Sequence, residues 1–198
     1  MPAPRAAAVT IRRALANDVS RWDAFVLTHP DATFFHRIGW KRVIEQAFSH
    51  RSHYLLAERD GAIVGVLPLI EIKSRLFGHS LGSLPFCVYG GIVAVDAAAR
   101  EGLDQAAQAL ARTLKVGALE YRNPVVQHAD WPAKDMYVTF KKAIEPETEA
   151  NMNAIPRKQR AMVRKGIKAG LTGEIDADTT RFFQAYSASV HRLGTPVF

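Results

Sequence analysis

The densest chemistry in the chain is a run of cations: Arg157, Lys158, Arg160, Arg164, Lys165 and Lys168, with no acidic residue between Ala150 and Glu174. Guanidinium forks grip phosphate oxygens in pairs, and ammonium groups add compact charge, so this segment suits a phosphate-bearing ligand. In helical register Arg157, Arg160, Arg164 and Lys168 share one face, and Val163, Ile167 and Leu171 form an opposing apolar stripe. Gly166 inside that helix costs roughly 1 kcal/mol relative to Ala, which points to a close backbone approach there. A packed helix with a solvated basic face carries the same pattern. A second candidate is Tyr89 beside Gly90 and Gly91. Two residues without Cβ let a ligand come close to the backbone, and the phenol can form a pocket wall.

Other chemistries find little support. Of the seven histidines only His50 and His53 are spaced as a metal pair, and no Cys or carboxylate stands at ligand spacing beside them. Packing or surface roles are expected for both. Cys87, the single cysteine, lies between Phe86 and Val88 and reads as a small buried hydrophobe of a reducing compartment. There is no nucleophile elbow, no phosphate-binding P-loop and no zinc-protease helix. An acyl-CoA pyrophosphate loop needs Arg or Gln, then Gly three residues on, then Gly or Ala two further on, so that backbone N–H groups face the phosphates. Arg75, Gly78 and Ser80 come nearest and fail at the last position. The first domain is therefore not expected to bind acyl-CoA in that way. No catalytic residue, metal or bound cofactor is assigned.

The elements that must position these residues follow from periodicity. The composition is ordinary for a globular protein, 48% hydrophobic and 23% charged. The net charge is +7, and the 157–168 segment alone holds six cations, so the rest is nearly balanced. The residues before 9 lack the apolar core of a signal peptide, and the longest apolar run, 62–70, is interrupted by Gly65 and Pro68. A soluble, cytoplasmic protein is expected. A strand is predicted over 9–13, a helix capped by Asn17 or Asp18 and running to 28, and a second helix over 39–48. Strands at 54–58 and 62–72 flank Asp60–Gly61, whose types supply the positive φ angles of a tight hairpin. An extended stretch at 81–95, a helix at 97–114 and strands at 118–122 and 137–141 complete a first domain over 1–145.

From 146 the composition shifts to a linker, the basic helix after Pro156 with a stop at Gly170, a strand at 171–175, and a helix from Asp178 to 193. The element order is similar to that of the GNAT acyltransferases, an α/β class with a mixed sheet flanked by helices. Residues 146–198 then read as the start of a second, incomplete GNAT-like domain.

Particular stretches carry a closer resemblance across essentially the whole chain. Ile155-Pro156-Arg157-Lys158 with Arg160, Arg164-Lys165-Gly166 and Gly170 resembles the basic helix that opens the second domain of Fem-type aminoacyl transferases. Thr33-Phe34-Phe35 with Trp40 resembles that family's N-terminal Phe-then-Trp segment. Leu67-Pro68-Leu69, Leu84-Pro85-Phe86-Cys87 with Tyr89-Gly90-Gly91, and the run from Ser189 to Phe198 resemble the FemAB-like branch associated with exosortase/PEP-CTERM systems. The resemblance implies tandem GNAT-like domains that transfer an aminoacyl or acyl group to a cell-envelope or exopolysaccharide precursor. Aminoacyl-tRNA or acyl-CoA would be the donor, and a sugar nucleotide or other small molecule the acceptor. The basic helix would line the tRNA or nucleotide side. Pro196 and Phe198 stand where characterised relatives carry a polar and basic pair, a departure that leaves the peptidoglycan precursor open. Two non-catalytic roles fit the same residues: an RNA- or anion-binding module using the basic helix, and a docking domain with an apolar patch at Leu171, Val190 and Phe198.

Overall fold

A long strand run bent at one proline organises the first of two compact units, Met1–Lys134 and Asp135–Phe198. The computed structural model describes residues 8–134 except Phe77, then Met136 and residues 138–197. In the first unit β1 (Thr10–Arg13) leads through a short 3-10 turn to α1 (Val19–Thr28) and α2 (Gly39–Phe48). The strands β2 (Arg51–Ser52), β3 (Leu55–Arg59), β4 (Ala62–Leu67), β5 (Leu69–Ser74), β6 (Gly78–Ser83) and β7 (Val93–Ala94) follow, then α3 (Ala97–Leu114) and β8 (Ala118–Glu120).

The β3–β4 hairpin turns at Asp60 (φ 51°) and Gly61 (φ 76°), the left-handed pair its sequence calls for. Pro68 then breaks the ladder, because it has no N–H to donate. The chain runs on as β5, which pairs with β2 (Ser52 opposite Ile70), and the His53 N–H donates to Leu69 O at 2.7 Å. Two four-stranded sheets result, ordered β1-β3-β4-β7 and β2-β5-β6-β8. Both contain part of the 62–74 run. Every pairing is antiparallel except β6–β8, which is parallel with Leu81 opposite Leu119. A parallel pair needs a crossover, and α3 provides it.

Strand alternation sorts the core into two layers. Leu56, Val66 and Ile70 join Trp22, Val26 and Ile44 of α1 and α2. Their immediate neighbours Leu55, Leu67 and Leu69 join Leu103 and Ala107 of α3. Burial on both faces explains why the sequence shows near-continuous apolar runs here rather than clean alternation. Asp18 does not cap α1 with its side chain. It is buried, accepts the Leu15 N–H and pairs with Arg12 and Arg21, because a desolvated carboxylate gains more from two guanidinium groups than from a helix end.

Asp96 does cap α3, accepting the Ala99 N–H at 2.9 Å and a 2.7 Å bond from Arg59. Asp96→Ala is expected to cost about 1 kcal/mol, the usual value of an N-cap. In a thermal melt that is a fall of roughly 2–4 °C for a protein of this size. An unchanged midpoint would show that the cap contributes nothing.

The second unit holds α4 (Thr148–Asn153), α5 (Arg157–Lys168) and α6 (Thr180–Arg192), none of which buries a side chain. The end of α5 is a Schellman motif: Gly170 takes φ 73°, its N–H reaches Ile167 O, and the Leu171 N–H reaches Gly166 O. The expected strands at 137–141 and 171–175 are not formed: 138–141 and 171–175 lie outside any element, and Tyr137 lies outside the described residues. A strand needs a neighbour to complete its backbone bonds, and Phe140 at 93% exposure has nothing packed over it.

Candidate functional site

Tyr89, Gly90 and Gly91 sit in the 84–92 loop, which joins β6 to β7 beside the parallel β6–β8 pair. This loop is bonded tightly into the unit. The Gly90 N–H donates to Arg122 O at 3.1 Å, and the Arg122 N–H donates to Ser83 Oγ at 2.8 Å. The Arg122 guanidinium reaches Cys87 O at 2.8 Å. Gly91 O accepts a 3.1 Å bond from His36 Nε2. The Thr33 N–H donates to His36 Nδ1, so the ring proton sits on Nε2. Burial, the leading cause, lowers the affinity of His36 for a second proton.

A Cβ on Gly90 would stand 2.5 Å from Leu84 Cβ, and one on Gly91 would stand 1.7 Å from Asn123 Oδ1. The space freed by both glycines is thus filled by the chain's own side chains. Two non-glycine residues of the loop, Leu84 (φ 47°) and Phe86 (φ 71°), have left-handed backbones, a strain that persists only where surroundings impose it. Cys87 is buried and its thiol is pushed up to about 11 by desolvation, so it is a thiol at neutral pH.

The N-terminus of α3 is the natural anion site of such a unit, since its first N–H groups point outward. Asp96 occupies it, and Arg59 neutralises Asp96. A pyrophosphate does not fit there, because it would meet the Asp96 carboxylate at that helix end.

In the second unit Arg160 folds back onto Asn153 O and Ile155 O, satisfying carbonyls at the end of α4. The side chains of Arg157, Lys158, Arg164, Lys165 and Lys168 are exposed and make no hydrogen bond or ion pair among the described residues.

One cluster escaped the sequence reading. Glu71 on β5 accepts from His53 Nε2 at 2.9 Å on one oxygen and from His79 Nε2 at 2.8 Å on the other. Those bonds, the His53 bond foremost, hold its carboxyl below the usual range. His50 takes no part. Its ring lies nearly parallel to Phe86, at 5° and 6.0 Å, and Phe86 in turn stacks on Phe48 at 4.4 Å. The signal was Glu71 within the apolar run of β5, with His53 just after β2 and His79 on β6, which become a cluster only once the register is known.

No family model matches the chain, and no curated protein matches it significantly. Among solved structures the chain is similar to a GNAT family acetyltransferase from Staphylococcus aureus, at 10% identity and TM-score 0.40, over 71% of this chain and 98% of that one. It is similar to a ribosomal-protein-alanine N-acetyltransferase from Brucella melitensis biovar Abortus, at 14% identity and TM-score 0.44, over 67% of this chain and 100% of that one. It is also similar to an aminoglycoside 6'-N-acetyltransferase from Acinetobacter baumannii, at 18% identity and TM-score 0.43, over 69% of this chain and 99% of that one.

Proposed function

We propose that the chain is an acyl or aminoacyl transferase of the FemAB-like type. It acts on a cell-envelope or exopolysaccharide precursor in the cytoplasm, with the phosphate-bearing donor gripped by α5. The observation that carries this reading is a contrast between two helices. The end of α3 is closed by its own Asp96, while Arg157, Lys158, Arg164 and Lys165 on α5 have no partner among the described residues. Paired guanidinium and ammonium groups on one helix suit the closely spaced phosphates of a tRNA acceptor end. The acceptor amine attacks the donor ester carbonyl, a C–N bond replaces the C–O bond, and the released hydroxyl gains the proton that the amine loses. Positioning supplies most of the acceleration in such a transfer. Tyr89 is assigned to substrate binding in the first unit, while Gly90 and Gly91 serve packing there, because their open faces are filled by Leu84 and Asn123.

The second unit is proposed to be the opening of a second GNAT-like domain. Its helices leave Met162, Ile167, Phe182 and Phe183 exposed, apolar faces that a closed core would cover. No helix among the described residues is long and apolar enough to cross a membrane, which is compatible with work on a cytoplasmic precursor.

Anisotropy of fluorescent tRNA tests the reading. Saturable binding is expected at physiological salt, at least tenfold weaker after joint Arg164→Ala and Lys165→Ala substitution. The slope of log K on log salt should fall by about 1.4, roughly 0.7 for each lost phosphate contact on a single strand. Binding that ignores both substitutions rejects the assignment of α5. Equal binding of any RNA, with no transfer to an amine acceptor, would make the chain an RNA-binding module.

A further inference from the structure

A shallow depression of about 250 Å³ in the first unit is lined by Ser49, His50, Arg51, Glu71 and Lys73. Arg51 and Glu71 stand opposite each other across β2 and β5. Opposite charges so placed usually neutralise one another. Here both Glu71 oxygens are already engaged by His53 and His79. Arg51 and Lys73 are therefore left without a direct ion pair among the described residues, and with the Glu71 carboxylate beside them the lining keeps a net positive charge. Its His50 wall continues into the near-parallel rings of Phe86 and Phe48. Phe86 is 56% exposed although it is large and apolar, and its left-handed backbone holds it in that position. An exposed aromatic face beside unpaired cations has a specific chemical complement: a flat base linked to a phosphate.

We propose that this depression binds a nucleoside phosphate, with the base against the Phe86–Phe48 rings and the phosphate on Arg51 and Lys73. The Ser49 hydroxyl offers a further donor to the phosphate. The site needs neither α5 nor any acyl chemistry, so it goes beyond the transferase reading and can fail independently of it. Glu71 has a positioning part: by taking both imidazoles it stays clear of Arg51.

The probe is N-methylanthraniloyl-ADP, titrated into the full chain and then displaced by unlabelled ADP, inorganic pyrophosphate and a single-stranded RNA tetramer. Saturable binding is expected, displaced by ADP at far lower concentration than by pyrophosphate. Displacement by the RNA at lower concentration than by ADP assigns the nucleotide to an RNA end, and the reverse order assigns a free nucleotide.

Phe86→Gly is the decisive variant, because Gly adopts positive φ without strain. The fold should be retained, read as an unchanged far-ultraviolet circular dichroism spectrum, yet affinity for the probe should fall about tenfold or more. Arg51→Ala with Lys73→Ala should weaken binding at least as much. Absence of saturable binding overturns the proposal. So does pyrophosphate competing as well as ADP while Phe86→Gly binds normally.

Discussion

Gly91→Ala is expected to destabilise the first unit by about 1–3 kcal/mol, the range for overpacking a closed interior. The new Cβ would lie 1.7 Å from Asn123 Oδ1 and 2.9 Å from Asn123 Cγ. Relief requires the Asn123 amide, whose Oδ1 is buried without a hydrogen-bond partner, to turn out of this contact. The loop itself is held, since Gly91 O is tied to His36 and the Gly90 N–H to Arg122 O. Urea denaturation should show an earlier midpoint at unchanged slope. Adding Asn123→Ala removes the clash and should restore most of the loss, the non-additivity expected of residues in contact. A single variant that unfolds with the wild type would show that the loop has room to spare. The double variant also separates packing from ligand access as the reason for the tandem glycines.

Arg12→Met should cost about 3 kcal/mol at neutral pH, because it leaves the buried Asp18 carboxylate with only the longer Arg21 pair and the Leu15 N–H. Asp18 is 1% exposed and takes Arg12 on both oxygens, at 2.6 and 2.8 Å, with Arg21 at 3.0 Å. The Arg12 hydrogen bonds are the leading cause of a carboxyl held far below its ordinary value. A depressed carboxyl contributes its stability above the unfolded value, about pH 3.9, and loses it as pH falls further. The wild type should therefore weaken steeply below about pH 4, while Arg12→Met starts lower and changes less, so the two curves converge toward acid. Parallel curves from pH 7 down to pH 3 would rule out Asp18 as the group that Arg12 supports.

How much of this was legible in the sequence depends on the distance over which each feature is decided. The helices α2 and α3 and the Asp60–Gly61 turn are local, and periodicity with turn chemistry located them. The α/β class with helices against a mixed sheet is also the one observed. The strands expected at 137–141 and 171–175 had the right residue types but no neighbouring edge, and strand formation is settled by the neighbour. The basic face of α5 was legible as charge. That Arg160 serves the end of α4 was not, because this depends on where the turn at Ala154–Ile155 aims two carbonyls. The Glu71 cluster joins residues 18 and 8 positions apart, a spacing that means nothing until the hairpin register superposes them.

The proline at the bend has a consequence for folding. Because 62–74 threads both sheets, their registers are one degree of freedom rather than two. A slip of a single residue would invert the faces of β4 and β5 together, exchanging the layer under α1 and α2 for the layer under α3. Pro68 places the interruption where no donor is missed, and its carbonyl accepts the Leu84 N–H at 3.2 Å. Correct pairing of one sheet thus fixes which faces the shared run presents to the other, and so couples the formation of the two sheets.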